Sequence, residues 1–325
     1  MSSCPTQPKS VRDLAAARTA MRLSPWLRLF RFRFYPLSVV TLATGSLAGA
    51  TAQGVDWAVL AWGAAAVVLL QMITVVANEV FDLEADRRNQ RFGAFGGGSR
   101  VLVDGDVSLG SARRVLVALA VVLCAVTAYG ALRLTSAPTV LAASVALGAT
   151  LGLGYSVPPL RLCYRGWGEV TVAFTYSFYL FAFGYFLQAG SPPEAALLVP
   201  ICLPLFLAIL PAIVLANVAD APSDRECGKR TWPVVLGVKN AVRVALALAI
   251  AAYAAWLLVW WDLRPRVALL AMALAIGAHL VGHCVYAVMR WHKLVREMST
   301  QLFVASALAY VVWFAIPPLV VLLGR

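Results

Sequence analysis

A succession of apolar runs, each about as long as a bilayer-spanning helix, constrains this chain more than any other feature. A helix needs about 20 mostly apolar residues to cross the hydrocarbon, where every backbone polar group must be bonded within the segment. Nine such runs are present, at approximately 34–53, 58–81, 112–132, 137–154, 170–189, 196–218, 240–261, 266–288 and 301–323. The breaks fall at turn-forming clusters such as Thr135-Ser136-Ala137-Pro138 and Ser191-Pro192-Pro193. A length of 325 residues would allow two soluble domains, but 61% apolar and 13% charged residues exclude them. The mean hydropathy of +0.80 agrees. The expected fold is all-α and polytopic, with a transmembrane domain over 26–325 preceded by a cytoplasmic tail over 1–25.

A net charge of +12 raises the possibility of nucleic-acid binding, which the placement of the basic residues removes. Alternate segments carry them: seven before the first run, six in 82–114, two in 155–169, five in 219–243 and three in 289–300, or 23 of 27. Only Arg133, Arg264, Arg266 and Arg325 fall on the other side. The positive-inside rule then puts the N-terminus in the cytoplasm and the C-terminus outside, as in a cell (inner) membrane protein with an odd number of spans. Residues 1–25 lack the basic start, apolar run and small-residue site of a signal peptide.

Six cysteines show no paired spacing, and three lie inside apolar runs, so the expectation is neither disulfide nor zinc site. His279 and His283 stand one helical turn apart, but no third ligand is near in the sequence and interhelical hydrogen bonding is expected. Trp260, Trp261 and Trp291 read as interface anchors.

The acidic residues are few and cluster at two places. At the cytoplasmic end of the second run, Asn78, Asp82 and Asp86 follow one another four apart, which keeps them on one helical stripe. At the cytoplasmic end of the sixth, Asn217, Asp220 and Asp224 are spaced three and then four, again one stripe. A single Asp here reads as a solvated helix end. Two matched stripes, with no His or Cys beside them, suit a hard cation such as Mg2+ shared with phosphate oxygens. The implied ligand is a diphosphate, and nearby Lys229 and Arg230 can neutralise charge on it, although topology alone also places basic residues here. The loop Phe92-Gly93-Ala94-Phe95-Gly96-Gly97-Gly98-Ser99-Arg100, taken alone, reads as a flexible linker rather than a phosphate cradle.

These residues resemble the UbiA superfamily of intramembrane aromatic prenyltransferases. Asn78-x3-Asp82-x3-Asp86 is similar to its first Asp-rich motif, and Asn217-x2-Asp220-x3-Asp224 with Gly228-Lys229-Arg230-Thr231 is similar to its second. Gly97-Gly98-Ser99-Arg100, the stretch Tyr155 to Leu162 and Tyr164-Arg165-Gly166-Trp167-Gly168-Glu169 look most like the branch that prenylates 1,4-dihydroxy-2-naphthoate for menaquinone.

The resemblance implies nine helices around a central cavity, Mg2+ as cofactor, and transfer of an isoprenyl group from its diphosphate to an aromatic acceptor through an allylic cation. It assigns Asp82, Asp86, Asp220 and Asp224 as catalytic, and those four with Asn78 and Asn217 as metal ligands. Asn78, Arg100, Tyr155, Arg161, Asn217, Lys229 and Arg230 become substrate-binding residues. Two departures stand out. Glu79 occupies a position where the family often has Asp, and Pro222 interrupts the second motif, which argues against a regular helix through Asp220 and Asp224. Competing expectations are another reaction of the superfamily, with a different acceptor or intramolecular cyclisation, and a secondary transporter or channel, which would carry charges and broken helices nearer the bilayer midplane.

Overall fold

The computed structural model describes residues 24–260 and 266–323, and among these all regular structure is helical. Residues 1–23, most of the expected tail, lie outside the described residues, as do Trp261, Asp262 and Arg264 of the connection between the seventh and eighth runs. The helices are α1 (Pro25–Phe30), α2 (Tyr35–Ala48), α3 (Trp57–Phe81), α4 (Leu83–Arg88), α5 (Leu109–Arg133), α6 (Pro138–Ser156) and α7 (Gly168–Ala189). There follow α8 (Ala195–Glu226), α9 (Trp232–Leu236), α10 (Val238–Trp260), α11 (Arg266–Met289), α12 (Trp291–Val295) and α13 (Gln301–Leu323).

Local chemistry sets several boundaries. Asp56 caps α3 by accepting from the Ala58 and Val59 amides at 3.0 and 3.1 Å, and Ser108 caps α5 by accepting from Ser111 N at 3.1 Å. By length and apolarity, seven helices qualify to cross a bilayer: α3, α5, α6, α7, α8, α10 and Leu270–Met289 of α11. The expected nine is thus not met on that measure among the described residues. Helix α2 has only 14 residues, about 21 Å at 1.5 Å per residue, against about 30 Å of hydrocarbon.

Helix α8 corrects a second expectation. It runs unbroken for 32 residues through Pro200, Pro204, Pro211 and Pro222, so Asp220 and Asp224 do share a helix. Proline removes one backbone donor, a loss that packed membrane helices tolerate because neighbours re-satisfy the freed carbonyl. Packing here is tight. Ala241, Ala245, Ala249 and Ala252 form a fully buried stripe on α10, within one core cluster with Ala208, Ala212 and Leu215 of α8.

Helices α2 and α7 approach still more closely. A Cβ on Gly45 would lie 2.0 Å from the Phe181 carbonyl oxygen, and one on Gly184 2.1 Å from that of Leu42. Ser46 Oγ donates to Gly184 O at 3.1 Å across the same seam. Helix α7 widens into a π-turn over Thr175–Tyr179, a feature frequent near functional sites. Tyr176 from this turn accepts from Gln71 Nε2 at 2.8 Å, and Gln71 Oε1 in turn accepts from Ser38 Oγ at 2.7 Å.

The histidine expectation holds. His279 Nε2 lies 3.1 Å from Ser306 O, His283 Nδ1 lies 2.9 Å from Ser306 Oγ, and Trp313 Nε1 donates to His279 Nδ1 at 3.1 Å, tying α11 to α13. The five cysteines among the described residues are free.

Candidate active site

The two Asp-bearing stripes meet. Helix α3 ends at Phe81 and α4 resumes at Leu83, with Asp82 between them, while α8 carries Asp220 and Asp224 toward the same end of the bundle. Lys229 joins them: its Nζ lies 2.9 Å from Asp82 Oδ2 and 3.5 Å from Asp224 Oδ1. All three side chains are almost completely buried. Burial lowers an ammonium's pKa, but Asp82 and then Asp224 outweigh it and hold Lys229 well above the ordinary lysine value.

Each carboxylate has its own supports. Asn78 Nδ2 donates to Asp82 and, at 2.8 Å, to Ser156 Oγ. The Tyr164 hydroxyl reaches Asp82 Oδ1 at 3.4 Å, and Thr231 Oγ1 donates to Asp224 Oδ2 at 3.3 Å. Asp220 accepts from Asn89 Nδ2 at 2.6 Å and from the Gly97 amide at 3.3 Å. Asp86 is pushed up to about 8 by burial and then by the charge of Glu79, against the pull of Arg31.

The Gly-rich loop is not a bare linker. It folds against both motifs, and a Cβ at Gly96 would lie 2.9 Å from Asp220 Oδ1, one at Gly98 2.2 Å from Asp86 Oδ2. Gly98 also has φ +71°, where L side chains are strained. The loop departs from linker behaviour because carboxylates from two helices and its own amides satisfy each other.

Of the other residues singled out by sequence, Arg100 donates to the Asp86 carbonyl oxygen and stacks 4.4 Å from the Phe92 ring centroid. Arg161 lies 3.6 Å over the Tyr164 ring, whose other approach is Lys229 at 5.7 Å. Both arginines have positive φ, 67° and 43°, and in both Nε is buried without a hydrogen-bond partner. Each of these guanidiniums thus keeps one donor that its protein contacts do not use. Tyr155 packs beside Gly168, where an added Cβ would meet its ring at 3.2 Å.

Two residues sit apart from the rest. Arg230 is exposed and bonds Cys163 O through its backbone amide, and Asn217 Nδ2 donates to Glu169 Oε1 at 2.9 Å. Glu169 is fully buried and also accepts from Trp232 N at 2.8 Å, so it fixes Asn217 to the turn after Lys229 and Arg230.

Sequence reasoning gave no site role to Asn89, Tyr164 or Glu169. Asn89 had a signal, since it stands three residues beyond Asp86 and extends the stripe of Asn78, Asp82 and Asp86. Tyr164 and Glu169 had none in their spacing.

The donor set fits Mg2+. It is oxygen-rich and free of His and Cys, and Lys229 already stands as a cation between the motifs. No three acidic, His or Cys side chains among the described residues converge on one point, so a metal here would take one or two carboxylates and need phosphate oxygens to complete its shell.

Comparison with solved structures finds the same architecture elsewhere. A UbiA homolog from Archaeoglobus fulgidus bound to GPP and Mg2+ superposes with a TM-score of 0.63 at 18% identity, covering 92% of this chain and 99% of that one. An apo UbiA homolog from Aeropyrum pernix K1 gives 0.63 at 18%, covering 89% and 98%. A digeranylgeranylglyceryl phosphate synthase gives 0.55 at 15%, covering 90% and 97%. No curated protein matches the chain significantly by sequence. The model of the UbiA prenyltransferase family matches residues 38–303, so this chain belongs to the UbiA prenyltransferase family.

Proposed function

We propose that the protein transfers an isoprenyl group from its diphosphate to an aromatic acceptor, with 1,4-dihydroxy-2-naphthoate as the acceptor and the site on the cytoplasmic face. The observation that carries this is the meeting of the two Asp stripes at Lys229, between Asp82 and Asp224. Mg2+ ions, each held by one or two of Asp82, Asp86, Asp220 and Asp224 with Asn78 and completed by phosphate oxygens, would neutralise charge developing on the departing diphosphate, and Asn217, whose amide nitrogen is engaged by Glu169, would have only its Oδ1 to offer. The unpaired Nε donors of Arg100 and Arg161 supply the anion's hydrogen bonds. Lys229, held between Asp82 and Asp224, adds positive charge where the carbon–oxygen bond would break, and exposed Arg230 lies next to it in the chain.

Tyr155 and Tyr164 supply aromatic rings that an allylic cation could use, although Tyr164 already has Arg161 and Lys229 at 3.6 and 5.7 Å from its ring centroid. The isoprenyl tail has an apolar groove of about 430 Å³ lined by Leu151, Val170, Phe174, Phe178, Leu203 and Phe206. The choice of acceptor rests on the stretches 97–100 and 155–169 and on the chemistry that an electron-rich ring captures the cation.

Membranes containing the protein, incubated with Mg2+, isoprenyl diphosphates of several lengths and a panel of aromatic acids, should yield prenylated dihydroxynaphthoate by mass. Prenylation of another ring alone would replace the acceptor and leave the reaction class standing. Ion transport by the purified protein with no Mg2+-dependent diphosphate release would overturn both.

A further inference from the structure

Glu79 lies within the first motif but turns away from its stripe. It is 2% exposed, and it accepts the Ser99 amide at 2.7 Å on Oε1 and the Ser99 hydroxyl at 2.8 Å on Oε2. Its third partner is Arg31, which pairs with Oε1 from the segment linking α1 to α2. Arg31 has φ +52°, and its guanidinium is held above even the usual arginine range, where burial is outweighed by Glu79 and Asp86. Nothing in the helical spacing requires an acid here, and a carboxylate this buried is costly unless paired and fully bonded.

The three contacts join three pieces of chain far apart in sequence. Leu29, at 0% exposure, packs in one cluster with Val76, Val101, Leu102, Val107 and Ala112, so the segment before Arg31 is seated on the same base as the end of the loop. From Ser99 the loop runs back to Gly97, whose amide donates to Asp220, and on to Arg100, which holds the Asp86 carbonyl. A shift at Ser99 therefore moves contacts to both Asp motifs.

We infer that Arg31 and Glu79 form a latch that positions the Gly-rich loop, through Ser99, against Asp86 and Asp220. Resting on the prenyl-transfer reading above, this makes Glu79 and Arg31 positioning residues for diphosphate binding. The latch also gives the N-terminal segment a place in the site. The carboxylate's charge is what an amide would lose: Gln could still accept from Arg31 and the Ser99 amide and donate to the Ser99 hydroxyl, but it would leave the buried Arg31 guanidinium without its counter-ion.

The test uses the full-length protein in lipid nanodiscs, without substrate and then with it. Hydrogen–deuterium exchange of overlapping peptides ending before and after Ser99 separates the Gly97 amide, which neither latch residue touches, from the Ser99 amide, which Glu79 holds directly, and the Gly97 amide is the readout. Glu79→Gln and Arg31→Gln should each raise exchange there about tenfold or more, the double variant no further than the worse single one, and Arg31→Lys should restore protection. With isoprenyl diphosphate and Mg2+, Glu79→Gln should raise KM for the diphosphate about tenfold and leave the Mg2+ activation constant near its original value. Unchanged exchange in Glu79→Gln would overturn the latch. So would a weakened Mg2+ response with a protected loop, since Glu79 would then act on the metal. If the wild type makes no prenyl product yet the exchange pattern appears, the latch stands and the reaction reading fails.

Discussion

Replacing Lys229 by Met should destabilise the metal-free protein and make its stability depend strongly on Mg2+. The ammonium is 10% exposed and lies 2.9 and 3.5 Å from carboxylates that are 4% and 5% exposed. At an effective dielectric of about 20, each contact is worth about 5 kcal/mol of Coulomb attraction, against which stands a desolvation cost of several kcal/mol for the ion. Removing one partner of such a buried set leaves like charges uncompensated and costs about 3–5 kcal/mol. A methionine keeps the length and apolar stem, so cavity formation contributes little.

The assay is thermal unfolding in detergent with chelator and then with increasing Mg2+. In chelator the variant should melt several degrees below the wild type. Mg2+ should then raise its midpoint more than that of the wild type, because no ammonium competes for Asp82 and Asp224, and a ligand at 100 times its Kd adds about 2.7 kcal/mol. Equal midpoints in chelator, or equal Mg2+ responses, would refute the picture of Lys229 as the resident cation between the motifs.

Other outcomes follow from single contacts. Gly45→Ala or Gly184→Ala should cost at least about 1–3 kcal/mol by forcing α2 and α7 apart, whereas Gly282→Ala, with nothing within 4 Å, should be neutral or slightly stabilising in the same melts. Tyr164→Phe should keep most turnover, since the Asp82 contact is long at 3.4 Å, while Tyr164→Leu loses the ring under Arg161 and should lose about tenfold, read as initial rate. Reporters fused after Arg100 and Arg230 should read cytoplasmic and one after Ser191 external, as the 23-to-4 division of basic residues requires.

Much of the architecture was legible because hydrophobic period and length act within one segment. Runs at 58–81 and 112–132 correspond to α3 and α5 within a few residues. The stripes of Asn78, Asp82, Asp86 and of Asn217, Asp220, Asp224 were readable for the same reason. What spacing along one helix does not carry is which faces meet. Asn89 touching Asp220, 131 positions away, and Glu169 touching Asn217 depend on docking between elements.

Glu79 shows the limit most clearly: the sequence marks it only as an acid where the family often has Asp, and nothing in its spacing tells that its contacts are Arg31 and Ser99. Pro222 shows the converse: a rule sound for isolated helices gave way to packing around Val218 and Ala219, both nearly inaccessible. The Gly-rich loop was misread because its order comes from Asp86, Asp220 and Glu79, none of which adjoins it in sequence.

The central claim is a two-motif site that drives loss of diphosphate, and Asp82→Asn and Asp220→Asn test it most directly. Amide replacement keeps the shape of each side chain and removes the negative charge that sets its hold on Mg2+. Mg2+-dependent release of diphosphate and formation of prenylated product should each fall about a thousandfold or more, equivalent to about 4 kcal/mol of transition-state stabilisation. Both variants should remain membrane-inserted and folded at the assay temperature by fractionation and melting, with Asp82→Asn melting below the wild type because it removes a partner of buried Lys229. Asp106→Asn, which loses only a partly exposed pairing with Arg28, should keep most activity. Near-normal, Mg2+-dependent turnover in Asp82→Asn and Asp220→Asn would contradict the account.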